Sequence, residues 1–216
     1  MDWAELSNWT EYTKLLIGLF AVSGPLSSLP VYLGLTEGRS DSEKIRIAVV
    51  AVFTYAVTLI CFTFLGGVIL HFFGISLAAF RIAGGLLLLL TALDMMRSDG
   101  DDQRIEKLKA SSSSAIGVVP IAIPLMAGPG AISTIVIYAS AHASTEHSLL
   151  VSLVIATVAL VLFVNLRLAV VMGPLVGKTG TTVMNRVMGL IVASIAIEFL
   201  LHGIADHFPQ LGVTVH

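Results

Sequence analysis

The sequence predicts an all-α polytopic membrane protein: six transmembrane helices in two inverted three-helix repeats, with the first and fourth helices broken. Three observations predict it. Charged residues occupy 12% of the 216 positions and hydrophobic ones 56%, with a mean hydropathy of +0.94; a soluble domain carries about 25% charged residues to coat its surface. The apolar residues run continuously over stretches of roughly 20 residues instead of alternating, which fits spanning helices and not barrel strands. A Gly-Pro pair recurs at matching places in the two halves of the chain.

Windows of about 19 residues pick out the spans in order: 15–35, 47–70, 77–96, 116–141, 149–172 and 187–204. The acidic start, with Asp2, Glu5 and Glu11 before Lys14, lacks the basic n-region of a cleavable signal, so the first span is expected to stay in the mature protein. That span carries Ser23, Gly24, Pro25, Ser27, Ser28 and Pro30. The second holds Cys61, the lone cysteine, which excludes a disulfide framework and a cysteine-based metal cluster. The third opens near Arg81 and ends near Asp94. Residues 97–115 form a polar linker ending in a serine run, a composition that need not pack. The fourth span carries Pro120, Pro124, Gly128, Pro129 and Gly130. Asn165 and Arg167, late in the fifth, are expected to satisfy helix ends. The sixth begins after Arg186 and holds Glu198.

The whole chain, 1–216, is thus expected to be one membrane domain, with a first repeat at 14–96, a cytoplasmic linker at 97–115 and a second repeat at 116–204. Of the twelve Lys and Arg, only Lys14 and Arg81 fall on the side shared by the termini and the even-numbered loops. The other ten fall on the opposite side, so the positive-inside rule places both termini outside. The six histidines all fall on that outer side, where polar loops tolerate imidazole. A net charge of -2 gives no reason to expect nucleic acid as a partner.

The repeats rest on one spacing. Gly24-Pro25 precedes Gly128-Pro129 by 104 positions, and the same offset relates Gly85 to Gly189 and Asp94 to Glu198. Each half has an odd number of spans, so the second crosses in the opposite sense, a recurring plan of secondary transporters. A proline inside a helix removes a donor and clashes one turn back, costing about 3 kcal/mol, and an adjacent glycine turns the kink into a break. The freed groups must face protein or a wet cavity. Of the two ends so created, one presents N–H groups suited to a carboxylate and the other carbonyls suited to an ammonium. Two facing breaks could therefore hold a zwitterion with little help from charged side chains. The candidate substrate-binding set is Ser23, Gly24, Pro25, Ser27, Ser28, Gly128, Pro129, Gly130, Ala131 and Ser133, with Thr134 beside them. Glu198 and Asp94 are candidate proton-coupling groups, and Arg81 and Arg186 are structural or gating residues. No metal site and no cofactor is expected.

These residues carry a resemblance. The tract Phe80-Arg81-Ile82-Ala83-Gly84-Gly85 after Phe73-Gly74-Ile75-Ser76, the tract from Val119-Pro120 through Pro124-Leu125-Met126-Ala127-Gly128-Pro129-Gly130-Ala131-Ile132, and Arg186-Val187-Met188-Gly189-Leu190 together resemble the MarC family of membrane proteins. The resemblance spans nearly the whole chain. It implies a six-span inner-membrane protein, and among characterised relatives is a transporter of small neutral amino acids such as glycine and alanine. The chain departs from the family in having Gly24-Pro25 where Asn-Pro is frequent, which removes an amide from the first break.

The expected function is therefore an inner-membrane secondary transporter of small neutral amino acids working by alternating access, with proton coupling through the two late acids as a secondary expectation. Its partners would be the small-molecule substrate and the lipid bilayer; a homo-oligomer is allowed but not required. The alternatives are export of another small metabolite or amino acid, and a channel. No His-Glu-x-x-His or Gly-x-Ser-x-Gly motif is present, so an enzyme is not expected.

Overall fold

The computed structural model describes residues 3–25, 28–36, 38–97, 126–141 and 144–208, with side chains described throughout these except at 3–8, 30, 31, 34, 35, 141, 169–179, 181 and 184. Among the described residues there are six helices and no strand. They are α1 (Trp3–Val22), α2 (Ser28–Thr36), α3 (Asp41–Phe72), α4 (Leu77–Met96), α5 (Pro129–Ala141) and α6 (Thr145–His207). Four stretches are long and apolar enough to cross a bilayer: α3, α4, and two parts of α6, Thr145–Leu168 and Asn185–His207. The expected first span is divided between α1 and α2, and the described end of the fourth is α5. The linker at 97–115 lies outside the described residues beyond Arg97, as do Ser27, Pro120 and Pro124.

Each helix follows from its residues. The Glu43 carboxylate at the start of α3 accepts from both the Ser40 N–H (3.0 Å) and the Ser40 hydroxyl (2.8 Å), satisfying donors at the helix entry. At 32 residues α3 is about 48 Å long, more than the hydrocarbon needs, so its polar first turns stand beyond the apolar layer. One stripe of it is buried: Ile47, Ala51, Tyr55, Leu59, Thr63, Gly66 and Leu70, at spacings of three and four. Phe53, Val57, Phe64 and Val68 on the other face are exposed, as a lipid-facing surface requires. The helix stops at Gly74, whose φ of 65° leaves the helical region; its N–H bonds to His71 C=O (3.1 Å) and that of Ile75 to Leu70 C=O (2.9 Å). Ser76 then caps α4 by accepting from Ala79 N–H at 3.1 Å, so only Phe73–Ser76 separate α3 from α4.

The second part of α6 buries Asn185, Gly189, Val192, Ala196, Phe199 and Gly203, a repeat of four and three, against α4. Close approach is possible because small residues face each other. A Cβ on Gly85 would stand 2.9 Å from the carbonyl oxygen of Ala196, and one on Gly189 would stand 3.0 Å from that of Ala92. The offset that relates Gly85 to Gly189 also relates Ala92 to Ala196. These two contacts therefore exchange places under it.

The expected fifth and sixth spans, 149–172 and 187–204, correspond to the two apolar parts of α6, Thr145–Leu168 and Asn185–His207, and the stretch between them is helical as well, so that α6 runs for 63 residues. A chain turning back at a bilayer edge can keep its backbone groups paired locally, and helix does so at least cost. The element is nevertheless not straight. Tyr12 of α1 bonds to His147, while a Cβ on Gly18, two turns along α1, would lie 3.7 Å from Ile195. A straight helix would separate His147 from Ile195 by about 72 Å, against about 9 Å between Tyr12 and Gly18. Hence α6 reverses direction between its two apolar parts. Gly173-Pro174, Gly177 and Gly180 lie in the connecting stretch, and Pro and Gly are the residues at which helices bend.

Candidate functional site

The break in the first span falls at the expected residues. Helix α1 ends at Val22; the Ser23 N–H still bonds to Leu19 C=O (2.9 Å), and the Gly24 N–H bonds to Ala21 C=O at 3.2 Å. Gly24 has φ +57°, a left-handed conformation open to glycine and, among side-chain-bearing residues, most readily to asparagine. The chain restarts as α2, where the Ser28 N–H donates to Gly24 C=O (3.0 Å) and the Ser28 hydroxyl to Pro25 C=O (2.9 Å).

In the fourth span Met126 is helical, Ala127 and Gly128 are not, and α5 begins at Pro129. Proline suits this first helical position because its missing N–H would have no partner there. The Ile132 N–H reaches back to Gly128 C=O at 3.1 Å, and the Thr134 hydroxyl to Gly130 C=O at 2.9 Å. The N–H groups of Gly130 and Ala131 belong to the first turn, where an α-helix offers donors without intrahelical acceptors.

The two breaks meet. A Cβ on Gly130 would lie 2.7 Å from Leu88 Cδ2 and 3.3 Å from Val22 Cγ1, so the start of α5 abuts the end of α1. The start of α5, which carries a partial positive charge, therefore lies beside the end of α1, which carries a partial negative one. Ser133 lies on Gly84 of α4, where an added Cβ would come within 2.8 Å of the serine Cβ. Ser23, Ser28, Ser133 and Thr134 are all buried, a band of hydroxyls inside an otherwise apolar core.

Two residues in this framework had no signature in the sequence. Tyr55, in the middle of α3, is fully buried, and its hydroxyl lies 2.7 Å from Ser23 Oγ. A single tyrosine in a greasy span has the spacing of any core residue. His147, treated as a loop histidine, is buried and joins three helices: Nε2–H donates to Tyr138 C=O of α5 and Nδ1 accepts from the Tyr12 hydroxyl of α1, each at 2.8 Å. Partial burial and then the neighbouring Glu11 carboxylate push the Tyr12 phenol above its usual range, so it stays a donor. Its position 135 residues from Tyr12 left nothing for a local pattern to catch.

The other candidates are placed as follows. Pro25, Gly130 and Ala131 are buried, Gly24 and Gly128 half-buried, and Pro129 exposed. Arg81 forms an ion pair with Asp206, joining the start of α4 to the end of α6. Arg186 is exposed at the start of the last span. Asp94 and Glu198 are also exposed, outside the packed interior where the breaks meet; the Glu198 carboxylate lies 3.8 Å from His202. Asn165, expected to satisfy a helix end, instead sits inside α6, and its Oδ1 is buried without a hydrogen-bond partner among the described residues.

Comparison with known proteins agrees with this architecture. Residues 9–208 match the sequence pattern of the MarC family integral membrane proteins. The chain is 36% identical to UPF0056 membrane protein YhcE of Escherichia coli over 203 residues, covering 93% of this chain and 94% of that one. It is 32% identical to UPF0056 membrane protein YvbG of Bacillus subtilis over 205 residues (91% and 95%). A UPF0056 membrane protein of Pyrococcus abyssi is 31% identical over 197 residues (91% and 96%). No solved structure matches the chain.

Proposed function

The chain belongs to the MarC family of integral membrane proteins, and on that premise we propose that it is a secondary transporter of small neutral amino acids, of the glycine and alanine class. The observation that carries this reading is the meeting of the two helix breaks, with Val22 at the end of α1 against Gly130 in the first turn of α5. A half-helix N-terminus offers donors to a carboxylate and a half-helix C-terminus offers acceptors to an ammonium. The hydroxyls of Ser23, Ser28 and Ser133 stand beside them. Gly84 and Gly130 let α4 and α1 approach α5 closely around these hydroxyls. The repeats at 14–96 and 116–204 are the bodies that would rock about this site, with both termini on the outer side of the inner membrane as the Lys and Arg bias requires. Proton coupling through Glu198 or Asp94 draws no support from their exposed positions. The polar centre is built of backbone ends and hydroxyls, which suits reversible binding and not the chemistry of an enzyme.

Counterflow of labelled glycine and alanine in proteoliposomes of the pure protein tests the reading. The wild-type protein is expected to show saturable exchange, and the Gly128→Leu, Pro129→Ala double variant, shown to be folded, is expected to lose it. Exchange of neither amino acid by folded wild-type protein would overturn the cargo assignment. Electrical conductance without saturation would favour a channel.

A further inference from the structure

A carboxyl stands on the outward face of the last span at a depth that water does not reach. A Cβ on Gly85 of α4 would lie 2.9 Å from the Ala196 carbonyl oxygen and 3.1 Å from the Leu200 nitrogen, so Glu198 is level with Gly85. In α4, which runs from Leu77 to Met96, Gly85 is eight residues from one end and eleven from the other. At a rise of about 1.5 Å per residue these are about 12 Å and about 16 Å, against a hydrocarbon layer about 30 Å thick. Glu198 is thus close to mid-bilayer, whereas Asp94, two residues from the end of α4, is at the edge. Half of the Glu198 side chain (52%) is nonetheless exposed. It shares a face of α6 with Val187, Leu190, Ser194, Leu201 and Ile204, all exposed and opposite the stripe that packs on α4. A lysine or arginine reaches the surface from such depth by snorkelling, but glutamate is too short. Ionisable groups inside a membrane pair with one another or face a protein interior, because lipid offers them nothing.

We infer that this face of α6 is the interface of a homodimer in the membrane, with Glu198 of each copy hydrogen-bonded to His202 of the other. Two copies inserted in the same orientation are related by a two-fold axis along the membrane normal, which sets one helix face against itself at equal depth. Such a face must be self-complementary, and this one holds an acid and a base one turn apart. His202 Nδ1 lies 2.9 Å from the Glu198 carbonyl oxygen, an atom that can only accept, so Nδ1 carries a proton. The other ring nitrogen, Nε2, is then the atom that meets the second copy. Within one chain the imidazole and the carboxylate are 3.8 Å apart, too far for a hydrogen bond. Across the axis, one proton between Nε2 and the facing carboxyl satisfies both groups whichever holds it, and the pair is neutral overall. Ser194, one turn inward, donates its hydroxyl to Leu190 C=O (3.0 Å) and is small enough to let two helices approach. The inference concerns association in the bilayer and does not depend on what the protein carries.

The test uses the full chain in liposomes, with subunits of labelled protein counted over a range of protein-to-lipid ratios. Wild type is expected to dimerise. Glu198→Leu and His202→Leu should each shift the equilibrium about tenfold toward monomer, the worth of the two symmetric interhelical hydrogen bonds lost. The double variant should be no weaker than either single one, since both act on one contact. A second measurement needs neither substitution. In a Cys61→Ala background, oxidation of native membranes should link Ser194→Cys to its own copy, and should not link Val68→Cys, which is exposed on α3. Monomers at every ratio overturn the inference. A Glu198→Leu dimer as tight as the wild-type one, or additive effects of the two leucines, overturns it equally. So does a failure of Ser194→Cys to link, or linkage of Val68→Cys just as readily. Each of these outcomes leaves the transport reading where it stands.

Discussion

Gly85 and Gly189 show what a single residue decides in a bundle with no water to drive it together. Inside a bilayer, helices associate through close packing, and small residues at the interface set how close they come. A methyl on Gly85 would meet the carbonyl oxygen of Ala196 at 2.9 Å and the backbone nitrogen of Leu200 at 3.1 Å, neither of which can rotate aside. On Gly189 it would meet Met96 Cγ at 2.8 Å and the carbonyl of Ala92 at 3.0 Å. On Gly67, exposed on α3, the nearest atom is Ser140 Oγ at 3.5 Å, an ordinary contact. Gly85→Ala and Gly189→Ala are thus each expected to cost about 1–3 kcal/mol, the usual penalty of overpacking, and Gly67→Ala nothing or a slight gain from helix propensity. Thermal unfolding of the three variants in detergent checks this, and equal midpoints would contradict the packing. The offset that relates these two glycines was legible in the sequence, where Asp94 and Glu198 share it. The bonds made by Tyr55 and His147 were not, because a long-range side-chain contact leaves no period along the chain.

At the scale of the element, the first break is a conformational device. The break was legible because Gly-Pro in mid-span has few structural solutions. Which residue takes the left-handed turn was not, since either Gly24 or a neighbour could have served until the hydrogen bonds from Gly24 to Ala21 and from Ser28 to Gly24 were seen. With φ at +57°, a Cβ at position 24 meets its own chain; Gly24→Ala is expected to destabilise by about 1–2 kcal/mol. Gly24→Asn should cost less, because asparagine enters this region more readily, and it should retain counterflow. Melting curves of the two variants decide the order; alanine tolerated better than asparagine would mean that the turn does not hold α1 and α2 apart. Helix α6 shows the opposite limit of reading elements from sequence. Hydropathy found its two spans, but a polar interval between apolar windows does not reveal whether its backbone leaves the helix, and here it does not.

Across the whole molecule, one end is fastened between the two halves of the chain. Tyr12 of α1 bonds to His147 of α6, and Arg81 of α4 pairs with Asp206 of α6. In the orientation proposed from the Lys and Arg bias this is the outer end. Every one of these ties joins a residue before the linker to one after it, so a rocking motion of one half against the other must break them to open a path outward. The Arg81–Asp206 pair is half-exposed at its carboxylate and is worth about 0–1 kcal/mol, weak enough to break in each cycle. Alternating access then makes a demand that a static pore does not. In a Cys61→Ala background, Arg81→Cys and Asp206→Cys bridged by a short reducible cross-linker should stop counterflow, and reduction should restore it. A channel whose path runs through fixed helix breaks would keep passing cargo with its halves tied together. Undiminished exchange by the cross-linked protein would therefore remove the rocking motion from the mechanism, while arrest and rescue would tie transport to the separation of the two halves at this end.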